Sequence, residues 1–149
     1  MILPDVNILV YAYNEDAPSH KPARTWWEGV MNGSRPVGLP WAVTCGFVRL
    51  MTHPAVLRTP LGPAHALEHV RAWLDVPHVE VLDPGPRHLE ILDQLLRSLG
   101  VAGNLTTDAH LAAIAIERQC ELHSSDADFA RFPGLRWRNP LPRRIQAPR

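Results

Sequence analysis

Short apolar stretches alternate with longer amphipathic ones along this chain, and that alternation constrains the fold more than any other feature. Ile2-Leu3-Pro4, Val37-Gly38-Leu39, "VEVL" at Val79–Leu82, "ELHSS" and "LRWRN" read as strands, each too short and too apolar to be a surface helix. Between them lie helical patterns. An apolar helix follows Asp5, and His20 to Met31 places Trp26, Trp27 and Val30 on one side. "PWAVTCGFVRLMTHP" is bracketed by Pro40 and Pro54, and Pro63 to Asp75 opens on a proline suited to a first turn. "PRHLEILDQLLRSLG" spaces Leu89, Leu92, Leu95, Leu96 and Leu99 helically and closes on Gly100. "TTDAHLAAIAIERQC" is a further helix with Thr106 or Thr107 as candidate cap, and Asp128–Phe132 a helical turn. Strands that alternate with helices need crossover connections, which predicts an α/β fold with a largely parallel sheet.

The chain's 149 residues suffice for one core, so a single domain over 1–149 is expected, with a basic, loosely packed tail from about 138. Fifteen basic residues balance fifteen acidic ones, which excludes a bulk polyanion binder. Lys21 is the only lysine; the remaining cations are arginines, able to grip phosphate bidentately. Cys45 and Cys120 are too few for a disulfide framework or a cysteine zinc site. Nothing approaches the roughly 18 apolar residues of a membrane span. No basic leader precedes an apolar run either, so a cytoplasmic protein without a membrane partner is expected.

The carboxylates carry the chemistry. Asp5 breaks an apolar opening, "MILPDVNILVYAYN", just after the first strand. Asp126 and Asp128 follow "ELHSS", and Asp108 lies in the first turn of the helix leading into that strand. Taken singly, each is explained as a helix cap or a first-turn charge favoured by the helix dipole. Three of them at equivalent ends of elements point instead to one pocket beyond the carboxyl ends of the strands. Carboxylates gathered there repel one another and need a cation. Hard oxygen donors select Mg²⁺ or Mn²⁺ rather than zinc. Such an ion can polarise a phosphodiester and activate water, which makes phosphodiester hydrolysis the expected reaction. Asn7 is either a hydrogen-bond donor behind the ligands or a turn former, and Asp128 is a helix starter or an accessory acid.

Other features are weaker. Among eight histidines only His65 and His69 stand four apart, on a charged helix face without an evident third ligand, so a solvated face is expected. His110 could contact a substrate or groups behind the acids, or lie on the surface. Trp26, Trp27, Trp41 and Trp73 are read as core or interface anchors. Arg136, Arg138, Arg143, Arg144 and Arg149 make the C-terminus the most basic stretch, a solvated tail or a contact to a phosphate backbone.

"PDVNILVYA", "TTDAHLAAIAI" and "SSDADFARFPGLRWRNP", in this order, resemble the PIN-domain ribonucleases, specifically VapC-type toxins of toxin–antitoxin pairs. "GFVRLMTHP" resembles an actinobacterial branch of them. The resemblance spans nearly the whole chain. It implies a PIN-like three-layer α/β/α domain with a central, mostly parallel sheet, and a Mg²⁺- or Mn²⁺-dependent endoribonuclease acting on RNA. It also implies a cognate VapB-type antitoxin and a homodimer. Carried over by position, the first acid is Asp5, the third Asp108 and the fourth Asp126, as catalytic and metal-binding residues, with Asp128 accessory. The family's second acid, a glutamate, has no counterpart: there is no carboxylate between Glu28 and Glu68. Thr44 or Cys45 stands nearest its place, where Thr44 could orient water without supplying charge. That departure leaves one alternative of another class, a catalytically weak or inactive PIN scaffold acting by RNA or antitoxin binding. A phosphohydrolase with Asp5 as aspartyl nucleophile is a second rival, without a convincing set of partner motifs.

Overall fold

The computed structural model describes residues 1–142. Five strands form one sheet: β1 (Ile2–Pro4), β2 (Val37–Leu39), β3 (Val79–Val81), β4 (Glu121–His123) and β5 (Trp137–Arg138). The spatial order is β3-β2-β1-β4-β5, and every pair is parallel. Parallel neighbours require crossovers. The 3₁₀ turn Ala127–Arg131 lies between β4 and β5, and six helices supply the others: α1 (Val6–Tyr13), α2 (His20–Met31), α3 (Trp41–Met51), α4 (Pro63–Leu74), α5 (His88–Leu99) and α6 (Thr106–Glu117). The helices pack in two groups, α1 through α4 against one another and α5 against α6.

This topology places the acids. With all strands parallel, their carboxyl ends share one edge. The chain leaves β1 toward β2 on one side, while β4 enters on the other, so the direction of winding reverses between β1 and β4. Ligands of open α/β sheets bind at such a reversal. Asp5 immediately follows β1, and Ser124 to Asp126 immediately follow β4. Helix α6 turns straight into β4 at Arg118 to Cys120 and therefore runs opposite to it, which carries its first turn back to the same edge.

The core explains why the elements hold. Leu3, Leu39, Leu122, Ile8, Leu9, Phe47 and Ile114 are fully buried. Tyr13, Phe47, Trp27 and Trp73 form an aromatic cluster, in which the Trp73 indole N–H donates to the Tyr13 hydroxyl at 2.8 Å. At Gly38 on β2 a Cβ would lie 2.7 Å from Leu82 Cδ2 and 3.0 Å from Met1 Sδ, so a side chain there would have to displace Leu82 and Met1. Helix α6 buries Ala109, Leu111, Ala112, Ala113, Ile114 and Ala115 around most of its circumference, as a helix enclosed by its neighbours does.

Some expectations change. Helix α6 begins at Thr106 with Leu105 at its cap position, and neither threonine caps it. Leu89 is 77% exposed, the buried face of α5 being led by Ile91 and Leu95. His69 is half-buried with its ring 4.5 Å from that of Tyr13, and only His65 is solvated. Trp27 and Trp73 are core residues, whereas Trp41 is 53% exposed. The expected tail from about 138 meets order: Arg138 belongs to β5 and Leu141 is buried. Arg143, Arg144 and Arg149 lie outside the described residues. No helix among the described residues is long and apolar enough to cross a membrane.

Candidate functional site

Asp5 is buried, and its burial follows from its place. Its backbone N–H completes the β1–β4 pairing by donating to the His123 carbonyl at 2.9 Å, which fixes it at the sheet edge. Its carboxylate then has one strong partner: the Ser124 hydroxyl donates to Asp5 Oδ2 at 2.9 Å. The same hydroxyl oxygen accepts from the Asp126 N–H at 3.0 Å, and Asp126 Oδ1 accepts from the Asp128 N–H at 2.9 Å. Ser124 is fully buried and is the hinge of this chain of hydrogen bonds. Its carbonyl in turn accepts from the Trp137 indole at 3.1 Å.

Burial raises the Asp5 pKa, and the Asp126 charge raises it further. The Ser124 hydroxyl and the N–H groups of Val6 and Asn7 pull it back. Those two N–H groups belong to the start of α1, although the Asp5 side chain makes no capping hydrogen bond to them. Asp108, in the first turn of α6, is half-buried. Burial first, then the charges of Asp5, Asp126 and Asp128, push its pKa up to about 6. Three elements thus bring four carboxylates into one electrostatic field. Arg131 stands 3.9 Å from Asp128 at the exposed rim.

Sequence reasoning missed Ser124, although it lay within the quoted "SSDAD"; its serine gives no signal of its own until β4 is placed beside β1. His110 faces α5 rather than the acids, its Nδ1 2.9 Å from His88 Nε2. Thr44 is buried, and its hydroxyl bonds back to the Trp41 carbonyl at 3.2 Å. With Cys45, Val48, Arg49 and Leu67 it lines an apolar groove between α3 and α4. Gly46 of α3 packs against the start of α1, where a Cβ would lie 3.1 Å from Val6 Cγ2. Thr44 and Gly46 are two apart on a helix and so lie on nearly opposite faces.

The donors are all hard oxygens, the class that suits Mg²⁺ or Mn²⁺. As the side chains stand, no three His, Cys, Asp or Glu residues among the described ones form a ready cage for an ion. Mg²⁺ requires none, since it retains several waters and is held by one or two carboxylates with substrate phosphate. The donor set fits a hydrated divalent ion.

A PIN domain profile matches residues 2–135, which takes in all four acids and every strand except β5. The chain belongs to the PIN-domain family. Ribonuclease VapC33 of Mycobacterium tuberculosis is 48% identical over 141 residues, covering 95% of this chain and 99% of that protein. Among solved PIN-fold structures, M. tuberculosis VapC20, a sarcin–ricin-loop-cleaving toxin, superposes with a TM-score of 0.64 at 19% identity. That match covers 91% of this chain and 99% of the other. A toxin–antitoxin complex from Klebsiella pneumoniae gives a TM-score of 0.61 at 18% identity, covering 94% and 98%. These two similarities carry the PIN fold; the identity to VapC33 carries the relationship to the VapC ribonucleases.

Proposed function

We propose that the protein is a divalent-metal-dependent endoribonuclease, the toxin of a VapBC-type toxin–antitoxin pair. The observation that carries this reading is the convergence of Asp5, Asp108, Asp126 and Asp128 on one field at the winding reversal, where Asp108 is pushed up to about 6. Kinship with VapC33 supplies the substrate class, RNA. Asp5, Asp108 and Asp126 would hold Mg²⁺ or Mn²⁺, with Asp128 accessory. When bound, the ion supplies Lewis acidity toward the phosphodiester and activation of a water nucleophile.

The chain's own residues do the rest. Ser124 fixes the orientation of Asp5 and the position of Asp126 through one hydroxyl. Asp108 offers a carboxylate from a rigid helix start, and burial first, then the charges of Asp5, Asp126 and Asp128, raise its pKa. Burial of Asp5 keeps one carboxylate out of bulk water, where its field is least screened. Hydrolysis by water leaves a 5′-phosphate and a 3′-hydroxyl and does not use the RNA 2′-oxygen. Target choice then rests on shape and single-strandedness.

A VapB-type antitoxin would cover the acidic edge with an arginine or another basic group, balancing the charge that the metal otherwise balances. Self-association and a cytoplasmic place of action belong to the same reading. The lack of a carboxylate between Glu28 and Glu68 favours a second reading, a PIN scaffold that binds RNA or antitoxin without useful catalysis. One experiment separates them: purified protein and Asp108→Ala incubated with structured RNA, with Mg²⁺, Mn²⁺ or EDTA, and the ends sequenced. Metal-dependent 5′-phosphate ends lost in Asp108→Ala support the nuclease. Intact RNA under every metal condition supports the scaffold.

A further inference from the structure

Trp41, Cys45 and Arg49 follow one another at four-residue intervals along α3, so they form a stripe down one side of the helix. The opposite side holds the buried Val43, Phe47 and Met51. All three stripe residues are exposed, Trp41 to 53%. Beside the stripe, Val48 of α3 and Leu67 and Val70 of α4 line a cavity of about 280 Å³ between the two helices. Leu67 is itself 42% exposed. Thr44 turns its hydroxyl back to the Trp41 carbonyl, which leaves the cavity walls apolar. Arg49 makes no ion pair among the described residues.

An exposed tryptophan beside an apolar groove is the kind of anchor that protein partners use. The order of residues along the stripe indicates which partner. It reads aromatic, small, cationic. Turned end for end by a two-fold axis through Cys45, it reads cationic, small, aromatic. Each Trp41 then faces Arg49 of the other copy, and a guanidinium over an indole face is a favourable cation–π pair. A surface complementary to itself under a two-fold is what an isologous dimer requires, and every contact is made twice. The small Cys45 at the centre allows the helices to approach. Axes of packed helices lie about 8–10 Å apart, with Cα atoms about 2.3 Å from each axis. At the wider spacing the two Cys45 Cα atoms stand about 5 Å apart, within disulfide reach.

We infer that the α3–α4 face is a two-fold interface between two copies of this chain, with α3 antiparallel to its counterpart about Cys45. This rests on the self-association in the reading above and assigns it a surface. Sedimentation velocity over a concentration series measures the dimer for the whole protein, Trp41→Ala, Arg49→Ala and Arg49→Lys. Trp41 and Arg49 are exposed, so the variants keep the fold, which far-UV circular dichroism checks. The parent and Cys45→Ser are also oxidised with copper(II) phenanthroline, which takes one electron and one proton from each thiol to form the S–S bond. Cys120 is buried and does not compete. Metal-dependent RNA cleavage is measured separately on each protein.

The expected result is a dimer whose dissociation constant rises about 100-fold in Trp41→Ala and about tenfold in Arg49→Ala, and stays near the parent's in Arg49→Lys. Oxidation is expected to give a disulfide-linked dimer that Cys45→Ser does not form. A dimer that neither weakens in Trp41→Ala nor links through Cys45 uses another face; that overturns the inference, assigns the groove to a different protein and leaves self-association standing. A dimer lost in Trp41→Ala but never linked through Cys45 overturns the antiparallel arrangement. A monomer at every concentration overturns the interface and self-association together, and the cleavage assay then decides the nuclease reading by itself.

Discussion

Asp108 offers the sharpest test, because its charge is a burden on the fold and a requirement of the proposed chemistry. Its pKa rises from 3.8 to about 6 through burial and through Asp5, Asp126 and Asp128. For an acid whose pKa is raised by folding, the folded state holds the proton longer, so stability falls as pH rises from about 3.8 to about 6 and is level above. A shift of that size is worth roughly 3 kcal/mol at most. Asp108 is only half-buried, and solvent screening reduces this to about 1–2 kcal/mol. Asp108→Asn keeps the shape and removes the charge. In EDTA at pH 8 it is expected to be more stable than the parent by about 1–2 kcal/mol, or roughly 3–6 °C in Tm. Near pH 5 that advantage should be about halved. His123, buried and held neutral by desolvation, weakens the fold below its ordinary pKa of 6.5. It is common to both proteins, so it drops out of the difference. Mg²⁺ or Mn²⁺ should stabilise the parent, by about 2.7 kcal/mol at a hundredfold excess over Kd, and the variant far less. The assay is urea denaturation at pH 5, 6.5 and 8, with and without metal. A variant less stable than the parent at pH 8, or a difference that does not change with pH, would refute the reasoning.

Three further outcomes follow from particular contacts. Ser124→Ala removes a buried hydroxyl that serves Asp5 and Asp126 at once; a loss of about 1–3 kcal/mol is expected by denaturation, with metal affinity, read by calorimetry, falling too. Gln119 holds a left-handed φ of 55° just past the end of α6, so Gln119→Gly should raise stability by about 0.5–1 kcal/mol, visible as a higher urea midpoint with unchanged slope. Gly46→Glu is expected to strengthen metal binding, whereas Thr44→Glu should bury an unpaired carboxylate and lower the thermal midpoint. Calorimetric Mn²⁺ titrations of both, with Val6→Ala added to relieve crowding beside Gly46, check the pair, and tighter binding in Thr44→Glu alone would reverse the assignment.

Much of the fold was legible because local signals agreed. His20–Met31 appears in the structure over the residues read from the sequence, since Trp27 and Val30 share one helical face and Asn32-Gly33 stops the run. Gly100 ends α5 with φ 67°, the left-handed turn that glycine supplies. What failed was whatever depends on neighbours. Leu89 fits the leucine spacing of α5 yet falls outside the arc covered by α6. Thr106 and Thr107 are good caps by type, but the 3₁₀ turn Gly103–Leu105 carries the chain into the helix without using them. Leu141 follows a Pro-rich stretch that reads as tail, and it is buried all the same.

The site divides in the same way. Asp5, Asp108 and Asp126 stand out in the sequence as candidates because an acid at the end of an apolar strand, or at the head of an apolar helix, is a local anomaly. Ser124 and Gly46 are not anomalies, and only the pairing of β1 with β4 and the packing of α3 on α1 give them meaning. Gly46 also changes how the missing acid is understood. Thr44 lies on the groove side of α3, facing α4, and its hydroxyl donates back to the Trp41 carbonyl of its own helix. At Gly46, beside the start of α1, α3 carries no side chain, and Val6 packs against the bare backbone. The remaining acids therefore lie toward β1, β4 and α6. Without an acid from α3, an ion held by these carboxylates would take its remaining ligands from water or an RNA phosphate oxygen. In this chain, substrate and metal are expected to bind with positive coupling: each supplies what the other's site lacks. Mn²⁺ affinity measured with and without a non-cleavable RNA should rise when RNA is present, and equal affinities would mean that α3 leaves no coordination to complete.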